Sequence, residues 1–200
     1  MDYEKDLLRV LGEITEIPNE EWEYLKQNLQ WETIEKGHIL LRNGELCEKV
    51  YFCASGLMRM YYHTTNGSEY NKSFISERGI FTSYSSLILS IPSHFSIQSM
   101  ESSVIASFTG RTLNQLFRRH ACWETVGRKL VEQLYIKKEL KERQLLTHSA
   151  EERYRLFLKE YPDINRRIPQ YHIAWYLGIT PVSLSRLRSK VGLMDDSVID

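Results

Sequence analysis

Between residues 164 and 190 the chain carries five cations, Arg166, Arg167, Arg186, Arg188 and Lys190, and not one carboxylate. A surface of that kind attracts a polyanion. Its residue spacing also fits a reader of DNA. Pro169 suits an opening helical turn, Ile173, Ala174 and Leu177 share one face, and Gly178 supplies a left-handed stop. Thr180 can cap a second helix with Pro181 in its first turn, and Leu184, Leu187 and Val191 fall on its inner face. Two short helices joined by a glycine-containing turn form a helix-turn-helix, whose second helix enters the major groove.

The outer face of that second helix begins with Val182, Ser183, Ser185, Arg186 and Ser189. Small hydroxyl residues allow close approach to base edges, and Val182 offers a methyl surface for thymine. Arg186 can make a bidentate contact to guanine, worth about 1–3 kcal/mol of discrimination. Arg188, Lys190 and Gln170 suit phosphate, which adds affinity without sequence preference. The expected DNA-contacting set is Gln170, Thr180, Val182, Ser183, Ser185, Arg186, Arg188 and Lys190. The competing reading of the segment is a solvated face of an ordinary helix pair.

Other chemistries find little support. There is no GxSxG elbow, no HExxH and no glycine-rich phosphate loop, so an enzyme is not expected. Cys47, Cys53 and Cys122 are one thiolate short of a usual iron–sulfur site, and the six histidines lack metal-ligand spacing. No metal or cofactor is expected. Three scattered cysteines and a start without a basic, apolar leader point to a reducing, cytoplasmic setting. No run reaches the roughly 18 apolar residues of a membrane span.

The elements that must position these groups can be read from punctuation and period. The chain has 200 residues and equal numbers of acids and bases, 26 each, yet residues 1–50 are acidic and residues 111–148 basic. Leu7, Leu8, Leu11 and Ile14 predict one short helix; after Pro18, capped by Asn19, Trp22, Leu25 and Leu29 predict another. Gly37, Gly44, Gly56, Gly67 and Gly79 then recur every seven to twelve residues between β-prone runs. Val50/Phe52/Ala54 and Val104/Ala106/Phe108 follow a two-residue period, as do Tyr70/Lys72/Phe74 and Phe95/Ile97/Ser99; a roll of short strands follows.

Residues 111–161 contain no proline and one glycine, so this stretch reads as mostly helical. Val126, Leu130 and Leu134 form a stripe on it, widened by Val131, Tyr135 and Ile136. One side can cover the roll while the other meets a second copy, so Val126, Leu130 and Leu134 are the expected dimer seam. The competing reading is a core helix of a monomer. Ser149 with Glu152 makes a capping box that starts a new helix burying Tyr154, Phe157, Leu158 and Tyr161.

Residues 170–190, QYHIAWYLGITPVSLSRLRSK, resemble the helix-turn-helix of the catabolite activator/fumarate-nitrate regulator (Crp/Fnr) family. Residues 36–45, KGHILLRNGE, and 50–59, VYFCASGLMR, resemble the opening strands of its cyclic-nucleotide-binding roll. The resemblance implies an α+β chain in three parts. These are a cyclic-nucleotide-binding-like β-roll (double-stranded β-helix) with flanking helices over 1–120, a connector and dimerisation helix over 121–148, and a winged-helix-type helix-turn-helix domain over 149–200. It implies a homodimeric transcription regulator with double-stranded DNA as partner, RNA polymerase as a candidate partner, and no membrane. The alternative is a cyclic-nucleotide-type signalling module acting on a protein partner.

The same resemblance exposes a departure. Ligand-binding members carry a Gly-Glu pair for the ribose and, about ten residues later, an Arg-Ser or Arg-Thr pair for the cyclic phosphate. Here Thr82-Ser83 and Ser93-His94 occupy those places, and no Arg or Lys lies between Arg78 and Arg111. A buried phosphate without a cation loses its strongest charge-assisted contact. Cyclic AMP bound in the usual mode is therefore not expected. The roll either takes another small ligand through Thr82, Ser83, Ser85 and His94 or serves as a ligand-free scaffold. A redox or gas sensor is the weaker third option, for want of ligands.

Overall fold

The structure, a computed structural model, describes residues 2–64 and 67–192, the last two by backbone alone. The chain divides into two compact units, residues 1–62 with 73–136 and residues 63–72 with 137–200. These cuts differ from boundaries at 120 and 148: the division passes through the long helix, and the segment 63–72 groups with the C-terminal residues.

The first unit opens with α1 (Tyr3–Gly12) and α2 (Asn19–Gln27). Both carry the apolar period read above, with Leu7, Leu11, Trp22 and Leu25 buried. Asn19 is the first helical residue rather than a cap; Pro18 holds the cap position and no side chain closes that end. The strands follow as β1 (Gln30–Ile34), β2 (Ile39–Leu41), β3 (Lys49–Ser55), β4 (Met58–His63), β5 (Glu69–Ile75) and β6 (Ile80–Phe81). After the short α3 (Tyr84–Leu89) come β7 (Ser96–Ser99) and β8 (Ser103–Thr109). They form two four-stranded sheets in the orders β1-β8-β3-β6 and β2-β7-β4-β5. The mixed α+β architecture and the N-terminal roll are as expected.

The two-residue period sorts side chains between two cores. In the antiparallel β3–β8 pair Tyr51 lies opposite Ser107 and Cys53 opposite Ile105. Tyr51, Cys53 and Ile105 face the interior of the roll with Met58, Met60, Phe81, Phe95 and Ile97. The alternate residues Phe52, Ala54 and Ala106 face outward, where α1, α2, α4 (Gly110–Arg119) and α5 (Ala121–Thr147) cover them. Glu21 locks this helical layer. Its buried carboxylate accepts from Arg119 at 3.0 Å and from the Trp123 indole at 2.9 Å. Burial opposes the charge, but those two donors hold the carboxyl below its ordinary range.

The second unit contains α6 (Ala150–Glu160), α7 (Ile164–Arg167), α8 (Gln170–Leu177) and α9 (Pro181–Gly192). The capping box forms as expected: the Ser149 hydroxyl accepts from the Glu152 amide, and the Glu152 carboxylate accepts from the Ser149 amide at 2.7 Å. Phe157, Tyr161 and Tyr176 pack with ring centroids 5.2–5.7 Å apart. Beneath them Lys137 meets Glu160 at 2.6 Å, and the Tyr176 hydroxyl donates to Glu160 at 3.0 Å. Lys141 donates to the Lys72 carbonyl at 2.9 Å and lies 3.3 Å from the centre of the Tyr176 ring. Burial, reinforced by Lys137 and Lys72, brings the Lys141 ammonium down to about 7 against the pull of Glu160. Burial and the neighbouring Lys138 and Lys137 bring Lys72 to about 8.

Candidate nucleic-acid interface

Helix α8 starts one residue later than expected, because Pro169 holds the cap position instead of the first turn. Ile173, Ala174 and Leu177 are buried on its inner face. Gly178 ends it at φ +69°, a left-handed conformation that side-chain-bearing residues adopt with strain, and its amide bonds to the Ala174 carbonyl. The turn therefore depends on glycine. Thr180 then caps α9, its hydroxyl accepting from the Ser183 amide at 3.1 Å. Leu184 is buried, Leu187 half-buried, and the expected inward Val191 lies outside the described side chains. The expected wing would fall on 193–200, also outside the described residues.

The outer face of α9 is presented as the spacing requires. Val182, Ser183, Ser185, Arg186, Arg188, Ser189 and Lys190 are all exposed, Val182 at 61%. Val182, Ser185, Arg186 and Ser189 follow helical spacing on one side. Among the described residues neither Arg186 nor Arg188 meets a carboxylate. Two members of the expected set behave differently. The Gln170 amide is turned inward and its nitrogen donates to the Asn165 carbonyl at 3.4 Å. It is not displayed for a phosphate. Lys190 reaches Glu151 on α6 at 3.1 Å, so the segment that is acid-free in sequence has an acid beside it in space. Glu151 escaped sequence reasoning because its role as an early residue of α6 carries no sign of that proximity.

The second expected site, in the roll, divides too. Ser83 is fully buried and its hydroxyl accepts from Ser93 at 2.9 Å. The Thr82 hydroxyl donates to the Lys49 carbonyl at 2.8 Å and lies 3.3 Å from the Cys47 sulfur. Ser85 and His94, expected beside them, are exposed to solvent and do not join them. Sequence reasoning missed Ser86, whose buried hydroxyl accepts from the Cys47 amide at 2.8 Å. It also missed Ser96, which accepts from the Asn43 amide at 2.9 Å. Backbone bonds from Gly44 to Ser93 and from Ser93 to Glu45, each 2.8 Å, complete a seam between residues 43–47 and the cassette. A cyclic phosphate here would meet no cation from residues 79–110 and hydroxyls already bonded within the chain. These residues do not fit that ligand in its usual mode.

The expected dimer seam divides as well. Val126 is buried at 6% in the helical layer over the roll, and Leu130 packs against the same core. Only Leu134 of the three is exposed, together with Val131, Tyr135 and Ile136. Val131 and Tyr135 lie on the side of α5 turned away from Val126, while Leu134 continues the stripe of Val126 and Leu130. The widening residues and the far end of the stripe, Leu134, are those left open.

A β-roll followed by a helix-turn-helix is a distinctive combination of folds, and the comparisons agree with it. Residues 31–120 match the model of the Cyclic nucleotide-binding domain family. FixK2 from Bradyrhizobium japonicum superposes with a TM-score of 0.71 at 19% identity, over 84% of this chain and 86% of that one. The c-di-GMP responsive global regulator CLP of Xanthomonas campestris gives 0.71 at 14% identity, over 92% and 95%. Thermus thermophilus catabolite activator protein gives 0.59 at 18% identity, over 96% and 89%. Curated protein sequences offer no match. The chain carries a cyclic-nucleotide-binding-type roll and has the fold of Crp/Fnr regulators. Among the described residues no helix is long and apolar enough to cross a membrane.

Proposed function

We propose that this protein is a dimeric, non-enzymatic transcription regulator of the Crp/Fnr type that binds double-stranded DNA through α9. The observation that carries the reading is the exposed face of α9, with Val182, Ser183, Ser185 and Arg186 presented together, Arg186 meeting no carboxylate among the described residues. Two such helices in a dimer would enter successive major grooves roughly 34 Å apart. The dimer forms through the exposed apolar side of α5, Val131, Leu134 and Tyr135. RNA polymerase is the further partner that a regulator of this class would meet.

The roll works without cyclic AMP in the usual mode, its cassette held by its own serines instead. Calorimetry with cyclic AMP should be silent; tight binding would overturn this part. Electrophoretic mobility shift with a duplex library tests the central claim. Affinity should fall steeply with salt as phosphate contacts release counterions, and one sequence class should be enriched. Binding to no duplex, with a protein captured by the C-terminal helices instead, would favour a signalling module. Val131→Asp combined with Tyr135→Asp should give monomers by sedimentation and weaken DNA binding; an unchanged dimer would place the seam elsewhere.

A further inference from the structure

The helical layer over the outside of the roll is not fully packed. An apolar cavity of about 70 Å³ lies between the outer face of β3 and β8 and helices α1, α2, α4 and α5. Leu11, Leu25, Phe52, Ala106, Leu116 and Val126 contribute to its wall, each less than a tenth exposed. The polar handle of the neighbouring Trp123 is already used, since its indole N–H donates to Glu21 at 2.9 Å. Water in a cavity needs two to four polar partners, and none of these six side chains offers one. Apolar cavities of this kind stay dry and accept neutral apolar molecules; benzene takes about 150 Å³, so this smaller space suits a smaller guest.

We propose that this cavity is a binding site for a small neutral apolar molecule of a few heavy atoms, smaller than benzene. It is distinct from the serine-lined cassette, because it lies on the opposite face of the β3–β8 pair. Its occupant would press on α5, which contributes Trp123, Val126, Gly127 and Leu130 to the wall at helical spacing. Gly127 is where α5 passes close to α4: a Cβ there would lie 2.8 Å from the Phe117 ring. An occupant that moves Phe117 therefore shifts the contact between these helices. If the chain is the regulator proposed above, the ligand modulates the helix that carries the dimer seam; the binding itself does not rest on that reading.

Methyl-resolved NMR of the full chain, titrated with xenon and separately with cyclopropane, tests the site. Saturable shifts are expected at the methyls of Leu116, Val126 and Leu25. Ala106→Leu fills the space and should abolish them; Leu25→Phe serves the same purpose from the opposite wall if the first variant does not fold. No saturable shift with either probe, or shifts that persist in the folded filled variant, would overturn the proposal. DNA affinity of the ligand-free protein is measured in parallel. Its absence would sink the regulator reading and leave the cavity result standing. Saturable binding that leaves DNA affinity unchanged would sink the coupling through α5.

Discussion

The cassette of the roll and the outer face of α9 are both rich in serine, yet they do opposite things with it. In the cassette, Ser83, Ser86, Ser93 and Ser96 are buried and bonded to one another or to backbone groups of the chain. On α9, Ser183, Ser185 and Ser189 are exposed, and their bonds are to residues within their own turn. A buried hydrogen bond is costly to leave unmade, so it closes a site to any ligand that would compete for it. An exposed one exchanges freely with water and hence with a base edge. The charges follow the same division. Residues 79–110 hold no Arg or Lys, whereas α9 displays Arg186 and Arg188, neither of them paired with a carboxylate among the described residues. Composition alone cannot separate a serine that is sealed in from a serine left open.

The comparison can be broken most forcefully at Arg186. Arg186→Ala should lose about 1–3 kcal/mol on the preferred sequence and much less on random duplex, measured by competition binding. Equal losses on both would remove it as a base reader. Next in size is Ser93→Ala, which leaves the fully buried Ser83 hydroxyl without its donor. It should lower the stability of the first unit by about 1–3 kcal/mol in chemical denaturation, and leave DNA specificity intact. A stable variant that gains nucleotide affinity would show that the seam was the obstacle.

A third expectation is a slope in place of an offset. Lys141 and Lys72 lose their protons in the folded second unit near pH 7 and 8, while in the unfolded chain they hold them to about 10.4. The unfolded state therefore binds more protons between those limits, and stability rises with pH across that window and is flat below it. Lys141→Met should remove much of the rise, read from denaturation midpoints between pH 7 and 10. The smallest effect is at Lys190, whose exposed pairing with Glu151 is worth little. Lys190→Ala should weaken all duplexes alike and reduce the salt slope by about one.

How much was legible follows from which forces are local. The glycine turn at 178, the capping box at 149–152 and the alternation in β3 and β8 involve neighbours a few residues apart, and the structure contains each of them. Errors at Asn19 and Pro169 are one-residue shifts, where proline takes the cap position because its own geometry suits the residue before a helix. The stripe on α5 was visible but its sides were not. Val126 and Leu134 fit the same period, and only packing against Leu116 and Trp123 decides which of them is consumed by the chain's own core.

The cations of α9 and the absence of Arg and Lys from residues 79–110 were written in residue types, because charge and side-chain chemistry do not depend on fold. What the tertiary structure alone decided is which polar groups remain available. It brought Glu151 to Lys190 across 39 positions, Ser86 to the Cys47 amide across 39, and Trp123 to Glu21 across 102. Hydrogen bonds act over about 3 Å and take no account of distance along the chain, so a group's freedom is settled only once the chain has closed around it.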